Sequence, residues 1–386
     1  MLTKTYTLLP DDSLKKQKNQ FLFLDIETTG FKKDNTILYL IGCGYYKEDS
    51  FQIIQWFNDD GISEPEMLSA LKNQISTFME QTAGTGKIFS FNGEGFDIPY
   101  LNRHYELNDI PFQINVASSL DLYKILKPFQ ALYRLEHGRQ KDWEIFLNKK
   151  REDLYDGGQL IPLYKEYLLK KKSKLLDLLL LHNKEDIQGM AELSPLLAYH
   201  QLLKGKITYM DMAYSQKKYT LSQGSLMIQC ELDSPLPKPL QIHSSVGSVE
   251  INNNIARLSV PVMEGALKYF FADYQNYYYL PEEDRAIHKT IGCYVDKKHR
   301  KKAKASTCYT KKTAIFLPFP SATRYYGIDV SSDSYKSTLR LYKTDYYDKH
   351  YYVEFDQIFD SNFTCLSQYL GDWIKEVIIS HLRERD

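Results

Sequence analysis

Asp25 and Glu27 stand two residues apart at the end of Phe21-Leu22-Phe23-Leu24, a continuous apolar run that suits a buried strand. Residues i and i+2 of a strand project from one face, so both carboxylates point together where the strand ends. An apolar strand has little reason to end in two charges unless a cation or a solvated edge lies beyond. Asp97 closes Asn92-Gly93-Glu94-Gly95-Phe96-Asp97 and enters a helix as an N-terminal carboxylate, favoured by the positive end of the helix dipole. His182 and Asp186, in His182-Asn183-Lys184-Glu185-Asp186, are four residues apart and share a helix face. Taken singly, each pattern has an ordinary explanation: a turn after the strand, a helix cap at Asp97 and a surface His–Asp contact. Taken together they supply what hard divalent ions prefer, oxygen ligands spread over several elements.

Such residues need a frame to bring them together. After the first strand, Thr28-Thr29-Gly30 marks a turn. Thr36–Tyr46 and Ser50–Phe57 are β-branched and aromatic, and with Lys47-Glu48-Asp49 between them they predict a hairpin. Glu64–Gln81 carries Met67, Leu68, Leu71, Ile75, Phe78 and Met79 at helical spacing. A strand at Lys87–Phe91, a turn at Asn92-Gly93, a helix from about Phe96, a strand near Val116–Leu120 and mostly helix to Leu203 follow. Three early antiparallel strands followed by alternating helices and strands predict a mixed α/β sheet. Beyond Gly205 the segments become short and Tyr-rich, after a break at Ser234-Pro235-Leu236-Pro237-Lys238-Pro239. The expected division is an N-terminal extension at 1–19, an α/β domain at 20–204, a connector at 205–240 and a Tyr-rich α+β domain at 241–386. An amphipathic helix over Ser367–Leu382, with Leu370, Trp373, Ile374, Val377, Ile378 and Leu382, should close the chain.

In chain order, Asp25-x-Glu27-Thr28-Thr29-Gly30, Asn92-x3-Phe96-Asp97 and His182-x3-Asp186 resemble the motifs of the ribonuclease-H-like 3′→5′ exonucleases with four acidic residues. The nearest likeness is to their bacterial branch with a His-Asn-x-x-Asp third motif, and it covers about residues 20–200, half of the chain. The resemblance implies a ribonuclease-H-like mixed sheet flanked by helices, two Mg²⁺ or Mn²⁺ ions, and phosphodiester hydrolysis from the 3′ end of single-stranded DNA or RNA. Two ions about 3.5–4 Å apart serve the attacking and the leaving oxygen in such a reaction. By the family's pattern Asp25 would bridge both ions, Glu27 and Asp186 would hold the ion that activates water, Asp97 would support the second, and His182 would be the general base. One departure stands out: a histidine occupies the position four residues before the last Asp, where the family usually has tyrosine, its histidine standing five before. Thr28 and Asn92 are candidate contacts to the terminal nucleotide, Thr28 being equally a turn former, whereas Asp121 is expected to cap a helix. Gly84-Thr85-Gly86-Lys87 is not a phosphate loop, because Ile88 stands where Ser or Thr is required. A non-catalytic nucleic-acid-binding or scaffold protein and a structure-specific endonuclease are the rival readings.

The chain has 386 residues, with 49 Lys and Arg against 49 Asp and Glu, which excludes a basic coat or an acidic tail as its dominant character. Five scattered cysteines lack metal or redox spacing and fit a reducing compartment. The first twenty residues do not read as a secretory leader and no apolar window is long enough for a bilayer, so a cytoplasmic protein with no membrane association is expected, its protein partners unassigned. Between Lys297 and Lys312 there are eight Lys and Arg and no Asp or Glu. Lys298, Arg300 and Lys301 in that run are candidate phosphate contacts, a solvated loop being the alternative. Of the 31 tyrosines, 19 follow residue 205. Tyr274, Tyr277, Tyr278, Tyr279, Tyr294 and Tyr309 could stack unpaired bases or pack a sheet.

Overall fold

The apolar run at Phe21 forms the central strand of a six-stranded sheet. A computed structural model describes residues 1–8, 20–204, 219–222, 224–321, 324–328, 330, 333–359 and 363–386. The chain divides into Met1–Leu197 and Ala198–Asp386. The first unit contains β1 (Leu2–Leu8), β2 (Phe21–Thr28), β3 (Leu38–Lys47), β4 (Ser50–Phe57), α1 (Glu64–Gln81), β5 (Lys87–Ser90), α2 (Asp97–Leu107), β6 (Ser119–Asp121), α3 (Leu122–Tyr133), α4 (Gln140–Phe146), α5 (Gly157–Lys170) and α6 (Ser173–Glu192). The sheet order is β1-β4-β3-β2-β5-β6. The first four strands are antiparallel, whereas β5 runs parallel to β2 and β6 parallel to β5.

Strand alternation sorts the side chains into two layers. Leu22, Leu24 and Ile26 of β2 pack with Met67, Leu68, Leu71 and Ile75 of α1 and Ile98 and Leu101 of α2. On the opposite layer Tyr39 and Phe57 pack with Leu160, Tyr164 and Tyr167 of α5 and Leu179 and Leu180 of α6. Asp25 and Glu27 therefore belong to the layer that α6 covers.

Three expectations change. The segment set aside as an N-terminal extension supplies β1, paired along β4 from Leu2 opposite Phe57 to Leu8 opposite Phe51. Its Thr and Lys content is that of an exposed edge strand, where polar side chains discourage further pairing; residues 9–19 lie outside the described ones. The strand near Val116 is shorter than expected, because Val116–Ser118 makes one tight helical turn before β6. Of the connector, residues 205–218 and 223 lie outside the described residues, while its second half is sheet: β8 (Ser225–Glu231) pairs with β11 (Ile255–Pro261), so the Pro-rich stretch is a loop between strands.

The second unit is richer in strands than an α+β reading suggests. β7 (Tyr219–Ser222), β8, β9 (Leu240–Ser244), β10 (Gly247–Asn252) and β11 form one sheet, ordered β7-β8-β11-β10-β9. A second sheet, β12-β16-β18-β17, contains β12 (Met263–Phe270), β16 (Tyr309–Pro318), β17 (Leu341–Tyr342) and β18 (Tyr352–Glu354). A third, β14-β13-β15, contains β13 (Tyr277–Leu280), β14 (Arg285–His288) and β15 (Lys301–Lys302). The closing helix, expected over Ser367–Leu382, runs Phe363–Arg383, packs on β9 and β10, and buries Leu370, Trp373, Ile374, Val377, Ile378 and Leu382 as its spacing predicts. Among the described residues no helix is long and apolar enough to cross a membrane.

Candidate active site

Strand β2 turns Asp25 and Glu27 toward α6, and two glycines of β3 let that helix approach. Gly42 lies opposite Asp25 in the β2–β3 register. A Cβ at Gly42 would fall 2.2 Å from Asn183 Oδ1, and one at Gly44 would fall 2.5 Å from Ile187 Cγ2. Glycine in a strand interior often marks such a close approach. Asn183 uses the space to donate from Nδ2 to Asp25 Oδ2 at 2.8 Å. Its Oδ1 accepts from Gln55 Nε2 at 2.8 Å, and the same amide nitrogen reaches Leu180 O at 2.9 Å. Gln55 and Asn183 are both fully buried, so Asp25 is oriented by an interior hydrogen-bond chain.

Asp97 arrives by a different route. The β2–β5 pairing runs only from Phe21 to Phe23, and beyond it the Ile26 N–H donates to Asp97 Oδ1 at 3.1 Å. The backbone group that the short strand leaves free thus fixes the carboxylate at the start of α2. From α6, His182 Nε2 lies 3.3 Å from Glu27 Oε1 and 3.2 Å from Asp186 Oδ2. The other oxygens of these two carboxylates have partners of their own: Tyr39 OH donates to Glu27 Oε2 at 3.3 Å, and Arg151 Nη1 is 2.6 Å from Asp186 Oδ1. Arg151 also pairs with Glu144. His182 Nδ1 lies 2.7 Å from Asp153 Oδ2, which Lys141 Nζ also reaches at 3.0 Å.

The electrostatics are those of crowded carboxyls, of which Asp186 alone has an arginine partner among the described residues. Glu27 and Asp97 are buried, while Asp25 and Asp186 keep some exposure. Desolvation, followed by the charges of Asp186, Asp97 and Glu27, pushes the Asp25 carboxyl well above the usual carboxylate range. Desolvation also raises Glu27 to about 7, although the neighbouring His182 opposes the shift. Asp97 is raised to about 7 for the same first reason, against the pull of the Ile26 N–H. Asp153 differs: burial opposes its ionisation, but the Tyr155 N–H, His182 and Lys141 together hold it below the usual range. A cation would relieve the strain among the raised carboxyls. Glu27, His182 and Asp186 each offer a ligand atom, all within 4.8 Å of one another. The donor set therefore fits a divalent metal ion.

Asp25, Glu27, Asp97, His182 and Asp186 thus come together from three separated segments. Thr28 and Asn92 shape the turns beside them. Thr28 Oγ1 donates to Gly30 O at 2.8 Å. Asn92 adopts φ +65°, its N–H donates to Asp121 Oδ1 at 2.8 Å, and its carbonyl accepts from the Gly95 and Phe96 N–H groups. Asp121 also accepts from Tyr123 N–H at 3.0 Å, the helix-capping role expected of it. Sequence reasoning missed Asp153, Arg151 and Gln55, which lie outside the three motifs; the glycines at 42 and 44 were the available sign of close helix packing.

In the second unit the basic run divides. Lys297–His299 makes one tight turn and Lys301–Lys302 is strand β15. Lys297, Lys298, Lys301 and Lys302 are exposed. Arg300 stacks 4.6 Å from the centroid of the Tyr278 ring and donates to Gly292 O, while Lys311 pairs with Asp284 and Lys312 with Glu354. The tyrosines divide as well. Tyr277 stacks on Phe271 and the hydroxyls of Tyr279 and Tyr309 both donate to Asp284, whereas Tyr294 is 89% exposed.

Residues 22–198, the stretch that carries all five site residues, match the family model of the RNase_H superfamily. Among solved structures the chain is similar to the zinc-ion-bound form of an E. coli ExoI complex with single-stranded DNA, at 14% identity and a TM-score of 0.27, over 54% of each chain. The matched part thus spans about half the length of that protein. It is also similar to an ExoI/SSB-Ct complex, at 11% identity and a TM-score of 0.27, over 94% of this chain and 74% of that one. No curated protein matches the sequence.

Proposed function

We propose that the ribonuclease-H-like domain at residues 22–198 is a metal-dependent nuclease that shortens single-stranded DNA or RNA from the 3′ end. The observation that carries this reading is the convergence of Asp25, Glu27, Asp97 and Asp186 from strand β2, the start of α2 and helix α6, with burial raising three of the four carboxyls. A fold does not gather like charges at that cost without a cation to receive. Asp25, Glu27, Asp97 and Asp186 would hold two Mg²⁺ or Mn²⁺ ions, which when bound supply Lewis acidity and a hydroxide nucleophile at neutral pH.

The protein's own part is orientation. Asn183 fixes the rotamer of Asp25, the Ile26 N–H fixes that of Asp97, and Tyr39 and Arg151 each hold one oxygen of Glu27 and Asp186 so that the other faces inward. Thr28 and Asn92 set the turns through which a terminal nucleotide would approach. On the second unit, exposed Lys298 and Lys301 would contact the phosphate backbone, and Arg300 would support the surface by its stacking on Tyr278.

End-labelled single strands incubated with the full chain in Mg²⁺ or Mn²⁺, against chelator, test this. A metal-dependent ladder shortening from the 3′ end is expected. Binding without cleavage would instead make the chain a non-catalytic nucleic-acid-binding protein, and internal cuts would make it an endonuclease.

A further inference from the structure

The family pattern casts His182 as a base that takes a proton from water, but its surroundings suit a different task. The residue is 5% exposed. Its Nδ1 lies 2.7 Å from Asp153 Oδ2, an oxygen that also receives Lys141 Nζ at 3.0 Å, while Asp153 Oδ1 accepts the Tyr155 N–H at 3.0 Å. Asp153 is thus an anchored acceptor for the Nδ1–H of the ring, and it turns Nε2 toward the other two carboxylates. Nε2 faces two carboxylate oxygens, Glu27 Oε1 at 3.3 Å and Asp186 Oδ2 at 3.2 Å. A cation belongs between these three atoms, either a proton on Nε2 or a metal ion that takes the proton's place.

The spacing fits a shared ion. With bonds of about 2.1 Å, neighbouring ligands of an octahedral ion stand about 3.0 Å apart and opposite ones about 4.2 Å apart. His182 Nε2 stands 3.3 and 3.2 Å from the two carboxylate oxygens, close to the spacing of neighbouring ligands, and one ligand atom from each of the three residues lies within 4.8 Å of the others. The oxygens left over are occupied by Tyr39 and Arg151, which keeps Oε1 and Oδ2 pointing inward. An imidazole whose second nitrogen is bonded to a carboxylate is the usual form of a metal-binding histidine.

We propose that His182 binds metal through Nε2, forming with Glu27 and Asp186 a site of two carboxylates and one imidazole, and that Asp153 is its positioning residue. This rests on the reading of the domain as metal-dependent. Imidazole nitrogen suits first-row transition ions, whereas Mg²⁺ prefers oxygen alone. The ion at this position is therefore a transition ion such as Mn²⁺, selected over Mg²⁺, and the oxygen ligands of Asp25 and Asp97 serve the other ion.

Mn²⁺ titrated into the full chain, with pulsed electron paramagnetic resonance read at the bound ion, decides it. A nitrogen coupling is expected that changes when histidine alone is isotopically labelled and disappears in His182→Gln. Asp153→Asn should weaken Mn²⁺ binding by about 10–100-fold while the coupling remains at saturation. The ratio of activity in Mn²⁺ to that in Mg²⁺ should fall in His182→Gln. Bound Mn²⁺ without a histidine coupling in the wild-type chain would overturn the proposal and leave the metal-dependent reading standing. Equal loss of activity with both ions in a folded His182→Gln would also overturn it, as a base would behave that way. Failure of Mn²⁺ to bind at all would remove both readings. The wild-type signal judges the proposal even if the variant does not fold.

Discussion

The two halves of the molecule each concentrate charge of one sign and treat it in opposite ways. In the α/β unit Asp25, Glu27, Asp97 and Asp186 share one small site, and burial holds three of their carboxyls above the ordinary range. In the Tyr-rich unit Lys297, Lys298, Lys301 and Lys302 stand in water, and Lys311 and Lys312 have acidic partners. A solvated lysine costs almost nothing and surface pairs contribute little. A carboxylate drawn out of water among others of its kind costs several kcal/mol in the absence of a counterion. Equal totals of 49 acidic and 49 basic side chains hide this asymmetry. The charge that is expensive to place carries the stronger functional implication.

The sharpest way to break the comparison is at Asp25. Asp25→Ala should abolish metal-dependent hydrolysis, measured on end-labelled single strands, while Asp25→Asn should raise the melting temperature of the metal-free protein at high pH, where the wild-type carboxyl must ionise in the crowded site. Full activity in the alanine variant would end the assignment of the site. Loss of metal-free stability in Asp25→Asn would show that the cluster is a structural network and costs the fold nothing.

Metal-free stability should also depend on pH in a direction opposite to that of a salt-bridged protein. Glu27 and Asp97 sit at about 7 in the fold, and Asp25 well above its ordinary value, against about 4 for unfolded carboxyls. Between those limits the folded chain holds protons that the unfolded chain has released. The stabilisation is therefore complete below about pH 4 and is lost as pH rises toward 7, by an amount on the order of a few kcal/mol. Urea melts with chelator should show this fall, and saturating Mn²⁺ should flatten it, because the ion binds the ionised form. A flat profile in chelator would mean that the site is better solvated than its geometry indicates.

How much of this could be read from the chain depended on whether a signal is local. Asp25 and Glu27 were legible because strand alternation and an apolar run fix their common face, the hairpin followed from its β-branched and aromatic runs, and α1 followed from periodicity that tertiary contacts reinforce. Asp153 was not, because its bond to His182 spans 29 residues and a loop, with no required spacing. β1 was missed because an exposed edge strand has the polar composition of a tail, and its partner β4 lies more than 40 residues away. The Pro-rich stretch at 234–239 marks a loop between strands as readily as a domain linker.

A smaller effect is expected at Gly42. An alanine Cβ would stand 2.2 Å from Asn183 Oδ1, and Asn183 is held on one side by Gln55 and on the other by Asp25. It can yield only by giving up one of those bonds or by moving α6. Gly42→Ala should cost about 1–3 kcal/mol, the usual range for overpacking, and should weaken Mn²⁺ binding as well. Lost stability with unchanged metal affinity would separate the packing of α6 from the orientation of Asp25.

The smallest effects belong to the solvated region, where the comparison can be sharpened most finely. If Lys298, Lys301 and Lys302 follow a phosphate backbone, each charge removed should reduce the salt dependence of single-strand binding by about 0.7 in the log–log slope. Lys298→Gln, Lys301→Gln and Lys302→Gln in the full chain, titrated at several salt concentrations, measure this. Lys311→Gln is the internal control. Its ammonium already pairs with Asp284, which also accepts from the Tyr279 and Tyr309 hydroxyls and whose carboxyl is held well below the usual range by Lys311, Tyr279 and Tyr309 in that order. Its loss should disturb that local hub and leave the slope unchanged. If all four variants leave the slope where it was, the exposed run is a solvated loop and nucleic-acid binding must be sought elsewhere on the chain. If only the three exposed lysines move it, the free cations of the second unit do contact the phosphate backbone, although the fold spends almost nothing on keeping them in water.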